Sequence, residues 1–130
     1  MNKEFIPYEQ SVALKELGFD EPCMGYYIEL KNPIEGLLKI GLDNEYLQAP
    51  LYQQVFRWFR EKYEFYHTID TYFNEDNTLN EHCWYVYQNS DDRMKHQLKM
   101  LNSSEIHQVE LTYEEAENAC IDKLISIAKQ

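Results

Sequence analysis

The histidines and cysteines are the residues in this sequence that could hold a metal ion. There are four histidines and three cysteines in 130 residues, and no CxxC spacing joins the cysteines. His82 and Cys83 are adjacent in a predicted strand, so their side chains point to opposite faces and do not easily share one ion. If a hairpin brings residue 73 near residue 82, His67 lies about 20 Å from His82 along the sheet. We therefore expect no metal site, and we expect histidines that are hydrogen-bonded or at the surface.

A cysteine acts as a nucleophile when a helix N-terminus or a nearby cation lowers the pKa of its thiol. Cys120 falls in the middle of a predicted helix on its apolar face, and Cys83 lies in an aromatic strand, so both are predicted core residues. Cys23 is the most exposed of the three, but Asp20 and Glu21 beside it disfavour a thiolate. Three free thiols are typical of a reducing compartment.

Other catalytic signatures are missing from the sequence. It has no GxSxG, P-loop or GxGxxG motif, and its four glycines are scattered. Adjacent acids such as Asp91-Asp92 and Glu75-Asp76 are typical of a solvated surface. Glu114 and Glu115 suit the positive end of a helix. We therefore predict no catalytic residue, no cofactor-binding residue and no cofactor.

One basic island remains as a candidate binding surface. Arg57 and Arg60 flank Trp58 in a predicted helix, and Trp and Arg are enriched among residues that dominate protein interfaces. On this interpretation the arginines contact an acidic partner while Trp58 enters a pocket. The alternative is a solvated helix face, because Arg57 can pair with Glu61 and Arg60 with Glu64 at i, i+4 spacing.

The elements that must position these residues follow from periodicity. Residues 50–63 place a wide aromatic stripe on one side of a helix, which needs a sheet to cover it. Helices are also predicted at residues 7–17 and from residue 113 onwards, and strands at residues 24–30, 38–42, 65–73, 82–87 and 106–111. For residues 88–104, a helix and an ordered loop both stay open. The predicted fold is α+β, a single domain of residues 1–130, with an antiparallel or mixed sheet of four to five strands packed against the central aromatic helix and the C-terminal helix.

Two helix ends carry specific signals. Gly18 in the C′ position puts Leu14 and Phe19 at the two positions whose apolar contact accompanies a Schellman ending. Thr112 and Glu115 have the spacing of a capping box, in which the Thr112 hydroxyl accepts from the N3 amide and Glu115 reaches back.

Composition limits the partners. The net charge is −11, so the surface repels phosphate backbones and anionic lipid, and we expect neither direct nucleic-acid binding nor membrane binding. No apolar run approaches the roughly 18 residues that span a bilayer, and residues 1–9 lack the pattern of a signal peptide. We expect a soluble protein of the cytoplasm.

Residues 49–63 read APLYQQVFRWFREKY, and residues 112–120 read TYEEAENAC. Both stretches resemble a family of small uncharacterised proteins encoded by bacterial phages and prophages. Residues 5–23 are similar to the same family, whereas residues 64–111 match it less well. The resemblance implies a phage or mobile-element origin and a bacterial host cell, and it transfers no activity and no catalytic residue.

Three functions follow as hypotheses, in descending order. The first is a non-catalytic interaction module that binds an unidentified host or phage protein. The second is an acidic nucleic-acid mimic that blocks a DNA-binding host protein, because the chain is strongly negative with acids around residues 70–81 and 91–92. The third is a small enzyme with an unrecognised site. A homodimer is also expected if the aromatic stripes are not all covered within one chain.

Overall fold

Three α-helices and two antiparallel β-sheets form in the residues that the computed structural model describes. These are residues 2–31, 34–73, 75–76, 79–89, 98–100, 109–110 and 112–130. The predicted α+β class is therefore confirmed. Its strands are divided between two sheets, one of three strands and one of four, instead of lying in one.

The order of elements along the chain is simple. A short 3₁₀ turn at Asn2–Glu4 precedes them. The helices are α1 (Tyr8–Glu16), α2 (Tyr52–Tyr63) and α3 (Tyr113–Ala128), and the strands are β1 (Gly25–Lys31), β2 (Ile34–Ile40), β3 (Leu47–Gln48), β4 (Phe65–Phe73), β5 (Leu79–Asn89), β6 (Leu98–Met100) and β7 (Val109–Glu110).

The chain divides into two compact units between Val55 and Phe56, inside α2. Apart from the last two residues, unit 1 is the part before this point and unit 2 the part after it. Unit 1 holds the sheet β2-β1-β3, and unit 2 holds the sheet in which β5 pairs with β4, β6 and β7. The single domain of residues 1–130 stays a prediction, and the two units are described separately.

The C-terminal end of α1 has the predicted Schellman geometry. Gly18 has a φ of 98°, a conformation that glycine adopts without a Cβ penalty. The Phe19 N–H donates to the Leu14 carbonyl at 2.9 Å, and the Gly18 N–H donates to the Lys15 carbonyl at 3.0 Å. Leu14 and Phe19 are both buried. The end of α1 is thus fixed by its own sequence.

The strands predicted at residues 24–30 and 38–42 correspond to β1 and β2, which pair as an antiparallel hairpin in the register that places Ile28 opposite Leu37. One face of β1 is buried through Tyr27, whose hydroxyl donates to the Ile6 carbonyl at 2.6 Å. The opposite face carries Tyr26, Ile28 and Leu30 and stays partly or fully exposed. The more apolar face of this strand is therefore the outer one.

Two glycines explain which face of the hairpin is buried. A Cβ on Gly36 would overlap the ring of Tyr8, and a Cβ on Gly25 would lie 2.7 Å from the ring of Phe5. The missing side chains leave room for these rings against the sheet. Tyr8 then meets Tyr27 edge-on, with ring centroids 5.5 Å apart.

The aromatic stripe of α2 is buried as the sequence predicts. Its buried residues are Tyr52, Val55, Phe56, Trp58 and Phe59, the last with no exposed surface. The helix ends at Tyr63, and Glu64 has a φ of 59°, which is unusual for a residue with a Cβ. The Glu64 N–H still donates to the Arg60 carbonyl at 3.1 Å.

In unit 2, α3 lies against β5, β4 and β7. It buries Cys120, Ile121 and Leu124, among others. The Thr112 hydroxyl caps α3 as predicted, accepting from the Glu115 N–H at 3.1 Å. The Glu115 carboxylate, however, accepts from this hydroxyl at 3.1 Å instead of reaching the backbone.

The segment that sequence patterns could not resolve contains strands. Leu98–Met100 is β6, so neither a helix nor an ordered loop, the two alternatives left open for this segment, describes these three residues. β5 extends to Asn89. Its last residues pair with β6, and Tyr87 lies opposite Met100. The predicted strand at residues 106–111 is represented by β7, and its other residues lie outside the described ranges, as do residues 90–97 and 101–104.

Candidate functional site

Unit 1 contains a partly open cavity of about 390 Å³. Volumes of this size are typical of small-ligand sites. Three short segments line it: the second half of α1, the turn that follows α1, and the loop that leads into β3. The lining residues are Ser11, Lys15, Phe19, Asp20, Glu21, Pro22, Asn44, Glu45, Tyr46, Leu47 and Gln48.

The loop before β3 is held in place by one side chain. The Gln48 amide donates to the Asp43 carbonyl at 2.7 Å and to the Tyr46 carbonyl at 3.1 Å. Its oxygen accepts from the Cys23 N–H at 3.3 Å. Gln48 therefore ties the loop to the chain entering β1. The loop is tightened further where the Glu45 N–H donates to the Asp43 carboxylate at 3.1 Å.

The turn after α1 is held in a similar way by Gln54 on α2. Its amide donates to the Pro22 carbonyl at 3.0 Å and lies 3.4 Å from a carboxylate oxygen of Glu21. Both walls of the cavity are thus fixed by glutamine side chains that bridge distant parts of unit 1. The cavity is preformed, which lowers the ordering cost of binding.

The charge of the cavity is negative. Asp20, Glu21 and Glu45 line it, against a single cation at Lys15. The C-terminal end of α1 adds partial negative charge from its last carbonyl groups. A positively charged group is therefore the ligand that the cavity favours.

An aromatic wall adds to this preference. Tyr46 is 42% exposed, and its ring stacks on Tyr26 at a centroid distance of 5.2 Å and an angle of 21°. The stacking orders the Tyr46 ring. Aromatic faces attract ammonium and guanidinium groups when they lie within about 6 Å. Tyr46 therefore adds an ordered aromatic residue to a cavity lining that already carries carboxylates.

Ser11 is the third feature of the cavity. The residue is 2% exposed, and its hydroxyl has no hydrogen-bond partner in the part of the chain that the structure describes. A buried hydroxyl without a partner costs free energy, on the order of 1–3 kcal/mol. Ser11 lines the cavity, but its hydroxyl oxygen is shielded from solvent, so this group does not add to the binding chemistry of the cavity.

Cys23 is buried, not exposed as the sequence suggested, with 4% of its surface accessible. Its thiol donates to the Glu21 carbonyl at 3.3 Å. The pKa of this thiol is raised to about 11: burial is the largest cause, a hydrogen bond with Gln54 lowers the pKa, and the Glu21 carboxylate raises it. The sequence predicted that a thiolate is disfavoured at Cys23, and the raised pKa agrees with this, with burial as the largest cause.

The other two cysteines are buried as predicted. Cys120 has no exposed surface and Cys83 is 2% exposed. Burial is the largest cause that raises the pKa of both thiols. Nearby carboxylates also raise the pKa, and for Cys120 this carboxylate is that of Glu117. All three thiols stay protonated at neutral pH, so none has the activation that a nucleophile needs.

The two described histidines contact other side chains, one an aromatic ring and the other a hydroxyl. His67 stacks on Phe56 with centroids 3.6 Å apart and planes 9° apart. Burial lowers the pKa of His67 to about 4, with a smaller contribution from Arg60. His82 is buried and lies 3.0 Å from the Thr71 hydroxyl. Its position opposite Thr71, not residue 73, corrects the register assumed from sequence.

The structure separates the three residues of the predicted partner-binding surface. Arg57 and Arg60 are exposed on α2, whereas Trp58 is only 6% exposed. The Trp58 ring meets Phe59 edge-on at 5.1 Å, and the Lys62 ammonium lies 4.8 Å from its centroid. Trp58 therefore belongs to the packed interior of unit 2. A binding role for the two arginines stays a prediction.

Sequence reasoning missed the cavity altogether. Its walls come from residues about thirty positions apart, and no motif links the acids at residues 20–21 to the acid at residue 45. The available signal was local: acidic residues follow the predicted end of α1 and recur in a turn-forming stretch at residues 43–45. Only the pairing of β3 with β1 brings the two together.

Comparison with known proteins gives no match: no family model, no curated protein and no solved structure is significantly similar to the chain. The resemblance to phage and prophage proteins therefore stays a prediction.

Within the described ranges, no three His, Cys, Asp or Glu side chains are grouped so as to hold a metal ion. Among those same residues, no helix combines the length and hydropathy needed to cross a bilayer.

Proposed function

We propose that the chain is a non-catalytic interaction module, encoded by a phage or mobile element, that binds a basic segment of a partner protein. The observation that carries the proposal is the cavity of unit 1, whose lining includes the acidic residues Asp20, Glu21 and Glu45 together with Tyr46. A lysine or arginine side chain supplies the charge, the hydrogen-bond donors and the apolar stem that these groups match.

The remaining chemistry of the chain supports binding over catalysis. The described histidines are engaged in packing, and burial raises the pKa of all three thiols. Free thiols are typical of a reducing compartment, so we place the protein in the bacterial cytoplasm. With a net charge of −11, long-range attraction favours encounter with basic proteins.

The experiment uses a short peptide as the probe. Acetyl-Gly-Arg-Gly amide is titrated into the isotope-labelled protein, and proton–nitrogen NMR spectra follow the backbone amides. We expect weak binding, of about millimolar affinity or weaker, because a few exposed charge pairs contribute only about 0.2–1 kcal/mol each. The shifted amides should be those of residues 15, 20–21 and 44–48. The same peptide with citrulline, a neutral analogue of arginine, is the control ligand.

Two matched variants separate the cavity from general charge. Glu45→Gln removes a cavity carboxylate and should weaken binding by about two- to fivefold. Glu29→Gln removes an exposed carboxylate of β1 that does not line the cavity, with the same change in net charge, and should leave binding unchanged. Equal shifts from the arginine and citrulline peptides, or equal losses in both variants, would refute the proposal.

A nucleic-acid mimic is the second candidate, because one hairpin concentrates negative charge. No lysine or arginine occurs between Lys62 and Arg93. Asp70 lies opposite Cys83 and Tyr72 lies opposite Glu81, so Asp70 and Glu81 are diagonal neighbours on one face of the β4–β5 hairpin. The test is competition with duplex DNA for a DNA-binding protein that the chain has captured. If the chain is a mimic, excess DNA should displace it, and a complex that survives excess DNA argues against this candidate.

A further inference from the structure

Among the residues that the structure describes, nothing pairs with the outer edge of β2. The sheet order is β2-β1-β3, so β2 is an edge strand, and no described strand pairs with its outer side. With seven residues, Ile34–Ile40, it is as long as β1. A long edge strand with free backbone groups is a template for pairing with another strand.

The hydrogen bonds of the hairpin show which backbone groups of β2 point away from β1. The Gly41 N–H donates to the Met24 carbonyl at 2.8 Å. Bonded and non-bonded pairs alternate along an antiparallel ladder, so Leu37 and its neighbours two positions away bond to β1. The N–H and C=O groups of Gly36 and Leu38 therefore point away from β1, towards the open edge.

The side chains on the outer face of β2 have a symmetric arrangement. Leu37 is 44% exposed, and exposed Glu35 and Lys39 flank it two residues away on either side. Side chains two residues apart share one face of a strand. One face of β2 therefore carries Glu35, Leu37 and Lys39 in a row, with a negative charge on one side of Leu37 and a positive charge at the same distance on the other side.

We propose that β2 pairs in antiparallel fashion with β2 of a second copy of this chain, about a two-fold axis at Leu37. The two Leu37 side chains then lie opposite each other, and each Glu35 lies opposite the Lys39 of the other copy. The free groups of Gly36 meet those of Leu38, which is the hydrogen-bonded pairing that the ladder requires. The interface is isologous, as a two-fold axis demands.

Charge selects this register over its neighbours. An axis at Gly36 or at Leu38 leaves Glu35 and Lys39 opposite no residue of opposite charge. An axis at Glu35 or at Lys39 places like charges face to face, which is destabilising. Only the axis at Leu37 pairs both charges of both copies.

The pairing also brings the exposed Leu37 side chain against that of the second copy. Ile28 lies opposite Leu37 across β1 and β2. In the dimer, one apolar row runs from Ile28 to Leu37 and on through the second copy's Leu37 to its Ile28. Cross-strand apolar neighbours of this kind stabilise a sheet.

The test measures association of the full chain by sedimentation over a wide concentration range. Glu35→Lys places two like-charge pairs across the axis and should weaken dimerisation by about tenfold or more. Lys39→Glu should do the same. The double variant, Glu35→Lys with Lys39→Glu, restores opposite charges across the axis and should recover the dimer. A mixture of the two single variants should form heterodimers, although neither associates well alone.

Glu29→Lys is the matched control, because it makes the same charge change on β1 and should leave association unchanged. Far-UV circular dichroism checks that each variant is folded, and recovery in the double variant excludes misfolding as the cause. A wild-type chain that stays monomeric at every concentration, single variants that still dimerise, or a double variant that does not recover would each overturn the proposal. No residue of β2 lines the cavity, so this test and that of the proposed function fail separately.

Discussion

Gly36→Ala tests the packing of unit 1 at its tightest point. The new Cβ would overlap the Tyr8 ring and lie 2.8 Å from Cδ1 of Tyr27. Tyr27 cannot move away without breaking the 2.6 Å hydrogen bond from its hydroxyl to the Ile6 carbonyl. Tyr8 is only half-buried, so its ring must give way. The edge-on contact between the two rings is then lost.

The magnitude is a balance of two effects. Overpacking of this kind costs about 1–3 kcal/mol, and a lost aromatic pair adds about 0.5–1.5 kcal/mol. Replacing glycine within a strand regains about 0.5–1 kcal/mol of backbone entropy. We therefore expect the free energy of unfolding to fall by about 1–3 kcal/mol. In a Tyr8→Ala background the clash with that ring is absent, and the cost of Gly36→Ala should be less than half as large.

Urea unfolding followed by two probes gives the assay. Far-UV circular dichroism reports both units, whereas Trp58 and Trp84 both lie in unit 2, so tryptophan fluorescence reports that unit. If the predicted single domain unfolds as one, Gly36→Ala lowers both midpoints together. A shift in the dichroism alone shows that the units unfold separately. A wild-type midpoint by both probes, or the same cost in the Tyr8→Ala background, refutes the packing argument.

Three further predictions concern unit 2. Glu64→Gly should stabilise the chain by about 1 kcal/mol because Glu64 has a φ of 59°, whereas Glu64→Ala, which keeps a Cβ, should not; thermal unfolding measures both. Thr112→Ala removes the cap on the Glu115 N–H and should cost about 1 kcal/mol in the same measurement, whereas Thr112→Ser should cost little. The pKa of His67 falls from 6.5 to about 4 on folding, so between these values the unfolded chain binds more protons and stability falls as the pH is lowered. Urea midpoints at about pH 7 and about pH 5 should differ less in His67→Gln than in the wild type, and an equal difference contradicts this assignment.

The parts of the fold that the sequence predicted correctly depend on local signals. The Schellman ending at Gly18 depends on six consecutive residues, and the cap at Thr112 on four, so each is decided within two turns of helix. The buried stripe of α2 follows from periodicity, because a helix that presents residues such as Phe56 and Phe59 on one side must cover them. These features require no knowledge of distant residues.

The parts that sequence reasoning missed depend on distant contacts. Alternation in β1 separates Tyr26 from Tyr27 but does not say which face is buried. That choice depends on glycines in both strands that admit the rings of Phe5 and Tyr8. Exposure of Cys23 was misjudged for the same reason, since Gln48, twenty-five residues away, holds the backbone around it.

Net charge and local charge act in opposite directions on the two proposed associations. Two copies with a charge of −11 each, roughly 25 Å apart, repel by about 20 kcal/mol in unscreened water. Physiological salt, with a Debye length of about 8 Å, removes most of this repulsion. The two cross-axis pairs of Glu35 and Lys39 contribute only about 0.4–2 kcal/mol together. Added salt should therefore strengthen pairing through β2 while it weakens binding of an arginine peptide to the cavity, where attraction is the only long-range term. Salt dependence of the same sign for both would show that one of the two surfaces is assigned wrongly.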